Sequence, residues 1–127
     1  EFRLMHADMY NLFPAIGAVN RIRSNYPYTE LPAFIPATFG SCPMKVYRKM
    51  VEPPAFARGE IARAALYMQW AYPGRVKLTR KMSEMMTRWN ETYPVSDWEC
   101  LRARRIEALQ GNENPFVKEP CRRDKRW

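Results

Sequence analysis

Proline, glycine and capping residues divide the second half of the chain into three predicted helices. Pro53-Pro54 is a favourable helix entry and Pro73-Gly74 a stop, because proline is tolerated in the first turn of a helix but not in its interior. Ser96-x-x-Glu99 has the spacing of a capping box, and Gly111 follows as a C-terminal stop. Together with one earlier stretch, the pattern predicts helices over residues 11–20, 53–72, 79–90 and 96–110, the last with Trp98, Leu101 and Leu109 on its inner face.

A proline-rich segment separates the first predicted helix from the second. Pro14 falls in the first turn of the first predicted helix, where a missing N–H is tolerated. Residues 24–43 contain four prolines and Gly40, and the segment is too long and too rich in proline for a hairpin loop. We expect this segment to be an irregular arm on the surface, held by its aromatic residues Tyr26, Tyr28, Phe34 and Phe39.

Length and hydropathy predict one folded domain over residues 1–127, with a charged and mobile tail over residues 122–127. Hydrophobic residues make up 46% of the chain and aromatic residues 13%, which argues against disorder. No apolar run approaches the ~20 residues of a membrane span. The sequence has no initiator Met and no signal peptide, from which we expect a processed, cleaved or trimmed chain.

The net charge of +8 and the pI near 9.7 indicate a surface that attracts anions. Such a surface is expected of a nucleic-acid-binding protein, because binding releases counterions from the phosphate backbone. Heparin-binding and membrane-surface proteins are also basic, so charge alone does not select the partner.

The three cysteines, Cys42, Cys100 and Cys121, have no Cys-x-x-Cys spacing, which argues against a zinc site. In a secreted protein an odd number leaves one cysteine to pair outside the chain. The alternative is three buried free thiols in a cytosolic protein.

Specific blocks of residues run along the chain. The first is Asp8-Met9-Tyr10-Asn11-Leu12, followed by Pro14-Ala15-Ile16-Gly17, Val19-Asn20 and Arg23-Ser24-Asn25. Later blocks include Phe39-Gly40-Ser41-Cys42, Glu52-Pro53-Pro54, Ala57-Arg58-Gly59-Glu60-Ile61-Ala62-Arg63, Asp97-Trp98-Glu99-Cys100 and Asn114-Pro115-Phe116-Val117. In this order the blocks resemble the bacterial endonuclease I family, the non-specific ββα-metal nucleases, over nearly all of residues 3–121.

The resemblance implies a fold and an activity. It implies an α+β fold, of which this chain is the mostly helical C-terminal part of a ββα-metal (His-Me finger) endonuclease. It also implies a periplasmic or secreted protein with disulfides that hydrolyses phosphodiester bonds of DNA, with RNA left open as a substrate.

Asn11 is the candidate metal ligand that the resemblance assigns. A carboxamide oxygen is a hard, neutral ligand suited to Mg²⁺ or Ca²⁺. The alternative is a helix cap, the role in which Asn is usually found. Arg21, Arg23 and Asn25 are the neighbouring candidates for nucleic-acid binding.

The general base is expected upstream of Glu1, because family members carry a Glu-His pair before the segment that contains Asn11. His6 is the single histidine, and we interpret it as a surface or packing residue since the family commonly has Glu there. The chain also departs from the family at Met9, Tyr10, Ala18 and Arg21, and the last two make this surface more basic.

For the other arginines, a structural or solvent-exposed role is the alternative to phosphate contact. Arg58 and Arg63 could contact phosphate or form structural ion pairs, and the sequence leaves both open. Arg102, Arg104 and Arg105 are most simply a solvated helix face.

Cys100 and Cys121 flank the fourth helix and the Asn-Pro-Phe turn, and we predict that they pair. Cys42 is then left for a cysteine outside the chain, for which an N-terminal fragment of the same nuclease is the candidate partner. Two other interpretations stay open: a catalytically inactive relative that binds nucleic acid or a larger assembly, and one piece of a split nuclease.

Overall fold

The computed structural model describes residues 2–127, and in these residues the fold is α+β, as predicted. Its elements are α1 (Phe2–Ala7), a 3₁₀ turn (Met9–Asn11), α2 (Gly17–Arg23), β1 (Lys45–Tyr47), β2 (Met50–Glu52), α3 (Ala55–Ala71), α4 (Arg80–Thr92), α5 (Asp97–Gln110) and α6 (Pro115–Arg123). None of the helices in the described part of the chain has the length and apolar character needed to cross a membrane.

The chain forms two compact units. The larger unit contains the N-terminal segment up to Phe13 together with Gly59–Trp127, and the smaller unit is Pro14–Arg58. The interpretation of residues 1–127 as a single domain stays a prediction.

The core of the larger unit is built from the 3₁₀ turn and helices α3, α5 and α6. Its buried members are Tyr10, Tyr67, Met68, Val95, Cys100, Ala103, Ile106, Val117 and Cys121. The predicted disulfide between Cys100 and Cys121 is present and joins α5 to α6 across a sequence separation of 21 residues. In the chain-entropy model a loop of that length contributes on the order of 3 kcal/mol.

A buried ion pair fixes α3 against α5. Arg63 on α3 binds both carboxylate oxygens of Glu99 on α5, and its remaining N–H groups reach the Tyr93 carbonyl at 2.7 Å and the Asn90 side chain at 3.2 Å. Arg63 is therefore a structural ion-pair residue, one of the two roles that the sequence left open. Its hydrogen bonds offset the desolvation that burying two charges requires.

The smaller unit contains an antiparallel hairpin that the sequence patterns did not predict. β1 and β2 pair Lys45 with Glu52 and Tyr47 with Met50, and Arg48 and Lys49 in the turn have positive φ angles of 49° and 59°. The buried Glu52 carboxylate accepts a hydrogen bond from the Leu31 N–H at 2.7 Å. It also attracts Arg58, with 3.6 Å between Nη2 and Oε1, so the second undecided arginine forms an ion pair too.

The predicted irregular arm of residues 24–43 contains no helix or strand among the described residues. Tyr26, Tyr28 and Phe39 are half-buried, as an anchoring role requires. Phe34 is 81% exposed, so its predicted anchoring role is wrong.

The helix predicted over residues 11–20 is wrong. Asn11 ends a short 3₁₀ turn, Leu12 and Ile16 have extended backbone, and α2 begins only at Gly17. Pro14 explains the break, because a proline disfavours helical backbone at the residue before it.

The other three predicted helices are confirmed to within two residues at each end, and Ser96 caps α5 by accepting the Glu99 N–H at 3.1 Å. The face assigned to α5 is wrong, because Trp98 and Leu109 are 59% and 76% exposed. Cys100, Ala103 and Ile106 form the buried face instead.

The expectation of a mobile basic tail is also wrong. The last helix, α6, runs to Arg123, and Trp127 packs against the core of the larger unit. Arg126 binds Asp97 at 3.2 Å and Asp124 at 2.9 Å. The charged composition of the tail suggested mobility, because composition does not show that Arg126 and Trp127 have partners in the folded chain.

Gly59 is the position in α3 where a side chain has no room. An added Cβ would lie 2.5 Å from the Tyr93 carbonyl oxygen, so we expect Gly59→Ala to lower the free energy of unfolding by about 1–3 kcal/mol despite alanine's better helix propensity. Gly17→Ala is the matched control, since no atom lies within 4 Å of its added Cβ, and it should be neutral or slightly stabilising. Urea denaturation of both variants measures the difference, and equal stabilities would contradict a close approach at Gly59.

Candidate functional site

Asn11, the candidate metal ligand, lies at the end of the 3₁₀ turn and is exposed to solvent. Its backbone N–H donates to the Asp8 carbonyl at 3.1 Å, and the Leu12 N–H donates to the Met9 carbonyl at 3.2 Å. Asn11 caps none of the described helices, because Asp8 caps the 3₁₀ turn and Ile16 is the N-cap of α2. The helix-cap interpretation of Asn11 therefore has no helix on which to act.

A buried Asp8 network fixes the turn from its N-terminal side. Asp8 is 2% exposed, and its Oδ2 accepts hydrogen bonds from the hydroxyls of Tyr67 at 2.6 Å and Tyr72 at 2.7 Å. Its Oδ1 accepts from the Gln110 side chain and from the Tyr10 N–H, both at 3.0 Å. One carboxylate thus joins the turn to α3, to the residue after α3 and to the end of α5.

Electrostatics keep this carboxylate ionised. Burial by itself would raise the pKa of Asp8, but the hydrogen bonds from Tyr67, Tyr72, Gln110 and the Tyr10 N–H together lower it below its usual value. Burial and the hydrogen bond to Asp8 raise the pKa of Tyr67, so Tyr67 stays protonated and keeps donating. The sequence patterns did not predict this network, although two of its members, Asp8 and Tyr10, lie in the first block of residues that carries the family resemblance.

Arg102 on α5 fixes the same turn from its C-terminal side. Its Nη2 donates to the Met9 carbonyl at 2.7 Å and to the Leu12 carbonyl at 2.5 Å. Its guanidinium carbon lies 4.1 Å from the centre of the Phe13 ring. The interpretation of Arg102 as part of a solvated helix face is wrong, whereas Arg104 and Arg105 are exposed as expected.

The candidate nucleic-acid residues belong to the smaller unit. Arg21 and Arg23 lie in the last turn of α2, and Asn25 follows it. The Arg23 guanidinium lies 4.6 Å from the centre of the Tyr28 ring and donates to the Ser24 carbonyl at 3.1 Å. Arg21 and Asn25 are exposed.

The chemistry of the available donors limits what metal site this chain can form. Asn11 presents one neutral, hard amide oxygen, which fits Mg²⁺ or Ca²⁺ as a single ligand. Asp8 is not available as a second ligand because its four hydrogen bonds use both oxygens. Residues 2–127 contain no group of three or more His, Cys, Asp or Glu side chains able to hold an ion.

The ionisation of Asp8 predicts a pH-dependent contribution to stability. Because the pKa is lowered on folding, the contribution is complete above the unfolded value of about 3.9 and is lost as pH falls through the folded pKa. Asp8→Asn should lower the free energy of unfolding by about 1–3 kcal/mol at pH 7. The amide would replace one acceptor oxygen with an NH₂ group, which faces the hydrogen-bond donors around it.

Denaturation of wild type and Asp8→Asn from pH 7 down to pH 2 measures that contribution. We expect the difference between the two proteins to shrink in the acid range. Asp124→Asn, a change at an exposed ion pair, should cost less than about 1 kcal/mol throughout. A difference for Asp8→Asn that grew towards low pH would contradict the lowered pKa.

Comparison with known proteins identifies a family. The Endonuclease I family model matches residues 1–121. The chain is 46% identical over 125 residues to an extracellular deoxyribonuclease of Aeromonas hydrophila, covering 95% of the chain and 53% of that protein. It is 44% identical over 124 residues to a periplasmic deoxyribonuclease of the same species, covering 95% and 51%.

A third relative, Endonuclease-1 of Buchnera aphidicola subsp. Acyrthosiphon pisum (strain APS), is 42% identical over 123 residues, covering 95% of the chain and 48% of that protein. The chain thus spans about half the length of these curated relatives. The names of the two Aeromonas relatives agree with the periplasmic or secreted location expected from the sequence. On this evidence, the chain belongs to the endonuclease I family.

Proposed function

We propose that this chain is the part of a metal-dependent, non-specific endonuclease that supplies the metal ligand Asn11 and a basic surface for DNA. The observation that carries the proposal is the exposed Asn11 side chain on a turn that is held by the buried Asp8 and by the half-buried Arg102. The relatives named deoxyribonucleases support DNA as the substrate, and RNA is a second polymer to test.

In this proposal each residue of the chain has a limited task. Asn11 would supply its amide oxygen as one ligand to the cation, Mg²⁺ or Ca²⁺. When bound, the metal polarises the scissile phosphate and stabilises the leaving oxygen. Asp8 and Arg102 hold the backbone of the turn and do not touch the substrate. The general base that takes a proton from water is a His upstream of Glu1, as the family resemblance implies.

The segment after Asn11 suits contact with phosphates. Residues 9–29 contain Arg21 and Arg23 but no Asp or Glu, so no local carboxylate competes for these arginines. The Tyr28 ring supports the Arg23 guanidinium, and arginine binds phosphate through a planar fork of donors. We assign Arg21, Arg23 and Asn25 to sequence-independent binding of the DNA backbone.

Cys42 offers a covalent link to the upstream part of the nuclease. It is the free cysteine of the described residues and is half-buried. We propose that it pairs with a cysteine that precedes this chain in the complete protein, whether on the same polypeptide or on a separate N-terminal fragment.

DNA affinity should fall steeply with salt, because binding by a basic surface releases condensed counterions. Fluorescence titration of a labelled duplex across several salt concentrations gives the slope of log affinity against log salt. Arg21→Gln should make that slope shallower by about 0.9, the value expected for one lost phosphate contact. Lys81→Gln removes the same charge from an exposed position on α4 and should leave the slope closer to wild type. Equal changes in both variants would argue for total charge and against a specific surface.

The proposed mechanism places the general base outside this chain, so we expect the isolated chain not to cut DNA. Fusing the portion of the Aeromonas hydrophila extracellular deoxyribonuclease that precedes the matched region should give a chimera with Mg²⁺-dependent cleavage. In the chimera Asn11→Ala should lower turnover about 100-fold or more, because losing a metal ligand removes several kcal/mol of transition-state stabilisation.

The controls for that experiment separate chemistry from folding. His6→Ala should retain turnover, and the melting temperature of Asn11→Ala should stay close to that of the parent chimera. Full turnover in Asn11→Ala would refute the ligand assignment. Cleavage by the isolated chain that His6→Ala abolishes would refute the upstream placement of the base.

A further inference from the structure

A single nitrogen atom of Arg102 joins the two ends of the turn that contains Asn11. Nη2 donates to the carbonyl of Met9, two residues before Asn11, and to the carbonyl of Leu12, the residue after it. The Leu12 N–H closes the turn onto the Met9 carbonyl at 3.2 Å. The two carbonyls are therefore held together, and the backbone of Asn11 between them is restricted.

The surroundings of Arg102 make this contact rigid. The guanidinium carbon lies 4.1 Å from the centre of the Phe13 ring, so Arg102 also contacts the residue that follows Leu12. Arg102 extends from α5, which is itself fixed by the Ser96 cap and by the ion pair between Glu99 and Arg63. The core of the larger unit thus sets the position of the turn, through α5 and Arg102.

The charge and the planar shape of the half-buried Arg102 side chain both serve this contact. Burial lowers the pKa of Arg102, while the carboxylates of Glu60 and Glu99 raise it, so the guanidinium stays ionised at neutral pH. A lysine in its place would keep the charge, but it would lose the planar guanidinium that packs on the Phe13 ring while Nη2 meets both carbonyl oxygens.

We propose that Arg102 is a positioning residue for Asn11, which it holds in the geometry that a metal ligand needs. The proposal rests on the metal-binding role proposed above for Asn11. A ligating side chain must be held within about 0.5 Å of its productive position, and a lone neutral amide gains the most from such preorganisation. Arg102 acts through the backbone of Met9 and Leu12 and does not itself touch the metal or the substrate.

The first test measures the turn in the isolated chain without metal or DNA. Hydrogen exchange of the Asn11 and Leu12 amides, followed by NMR, should accelerate at least 10-fold in Arg102→Lys relative to amides in the middle of α5. Arg104→Ala removes an exposed charge from the same helix and should leave the ratio unchanged. An unchanged ratio in Arg102→Lys would overturn the proposal, because the turn would then be ordered without the arginine.

The second test measures the Mg²⁺ dependence of cleavage in the chimera. Arg102→Lys should raise the Mg²⁺ concentration for half-maximal rate about 10-fold, with a smaller loss of rate at saturating Mg²⁺. Arg102→Ala should shift it further if it folds, and Arg102→Lys decides if it does not. A purely structural role would lower the melting temperature and the active fraction without moving the Mg²⁺ midpoint, and that result would overturn the proposal.

Asn11→Ala in the same chimera separates the two proposals. If Asn11→Ala loses turnover while Arg102→Lys keeps the wild-type Mg²⁺ midpoint, the positioning role fails and the ligand assignment stands. If Asn11→Ala retains turnover, the ligand assignment fails, and the positioning role towards a metal fails with it even where the exchange rates change.

Discussion

The packing of the 3₁₀ turn against α3 and α5 in the larger unit depends on the buried carboxylate of Asp8. Its four hydrogen bonds come from the 3₁₀ turn, from Tyr67 and Tyr72 in the α3 region, and from Gln110 at the end of α5. Asp8 is separated from these partners by up to 102 residues of sequence. A buried carboxylate without such donors would be strongly destabilising, so the network and the packing around it form together.

The second buried charge, on Arg63, sets how closely the helices approach. Arg63 binds Glu99 on α5 and the Tyr93 carbonyl just after α4, so three helices meet at one guanidinium. Gly59 allows this approach, because the space that its Cβ would fill is taken by Arg63 and by the Tyr93 backbone. Gly59 and Arg63 of the Ala-Arg-Gly-x-Ile-Ala-Arg block are therefore explained by packing and by this ion pair.

The candidate ligand is exposed to solvent, whereas the residues that hold its turn are buried or half-buried. Asn11 is exposed, while Asp8 on one side of the turn and Arg102 on the other are held by hydrogen bonds and packing. An exposed ligand on a fixed turn can meet a cation and a DNA backbone without rearrangement of the core. The chain spans about half the length of its relatives, and the function proposed above assigns the other ligands and the base to residues outside it.

Local sequence determined the three long helices, because their proline, glycine and Ser96 boundaries act within a few residues. The positions of Cys100 and Cys121 around the fourth helix also predicted the disulfide, and the family resemblance pointed to Asn11. Only the tertiary structure decided the buried face of α5 and the fixed C-terminal tail, since each depends on neighbours distant in sequence. Arg102 shows the reason most clearly. In the sequence it could not be distinguished from its neighbours Arg104 and Arg105. Its side chain nevertheless donates to the carbonyls of Met9 and Leu12, about 90 residues earlier in the chain.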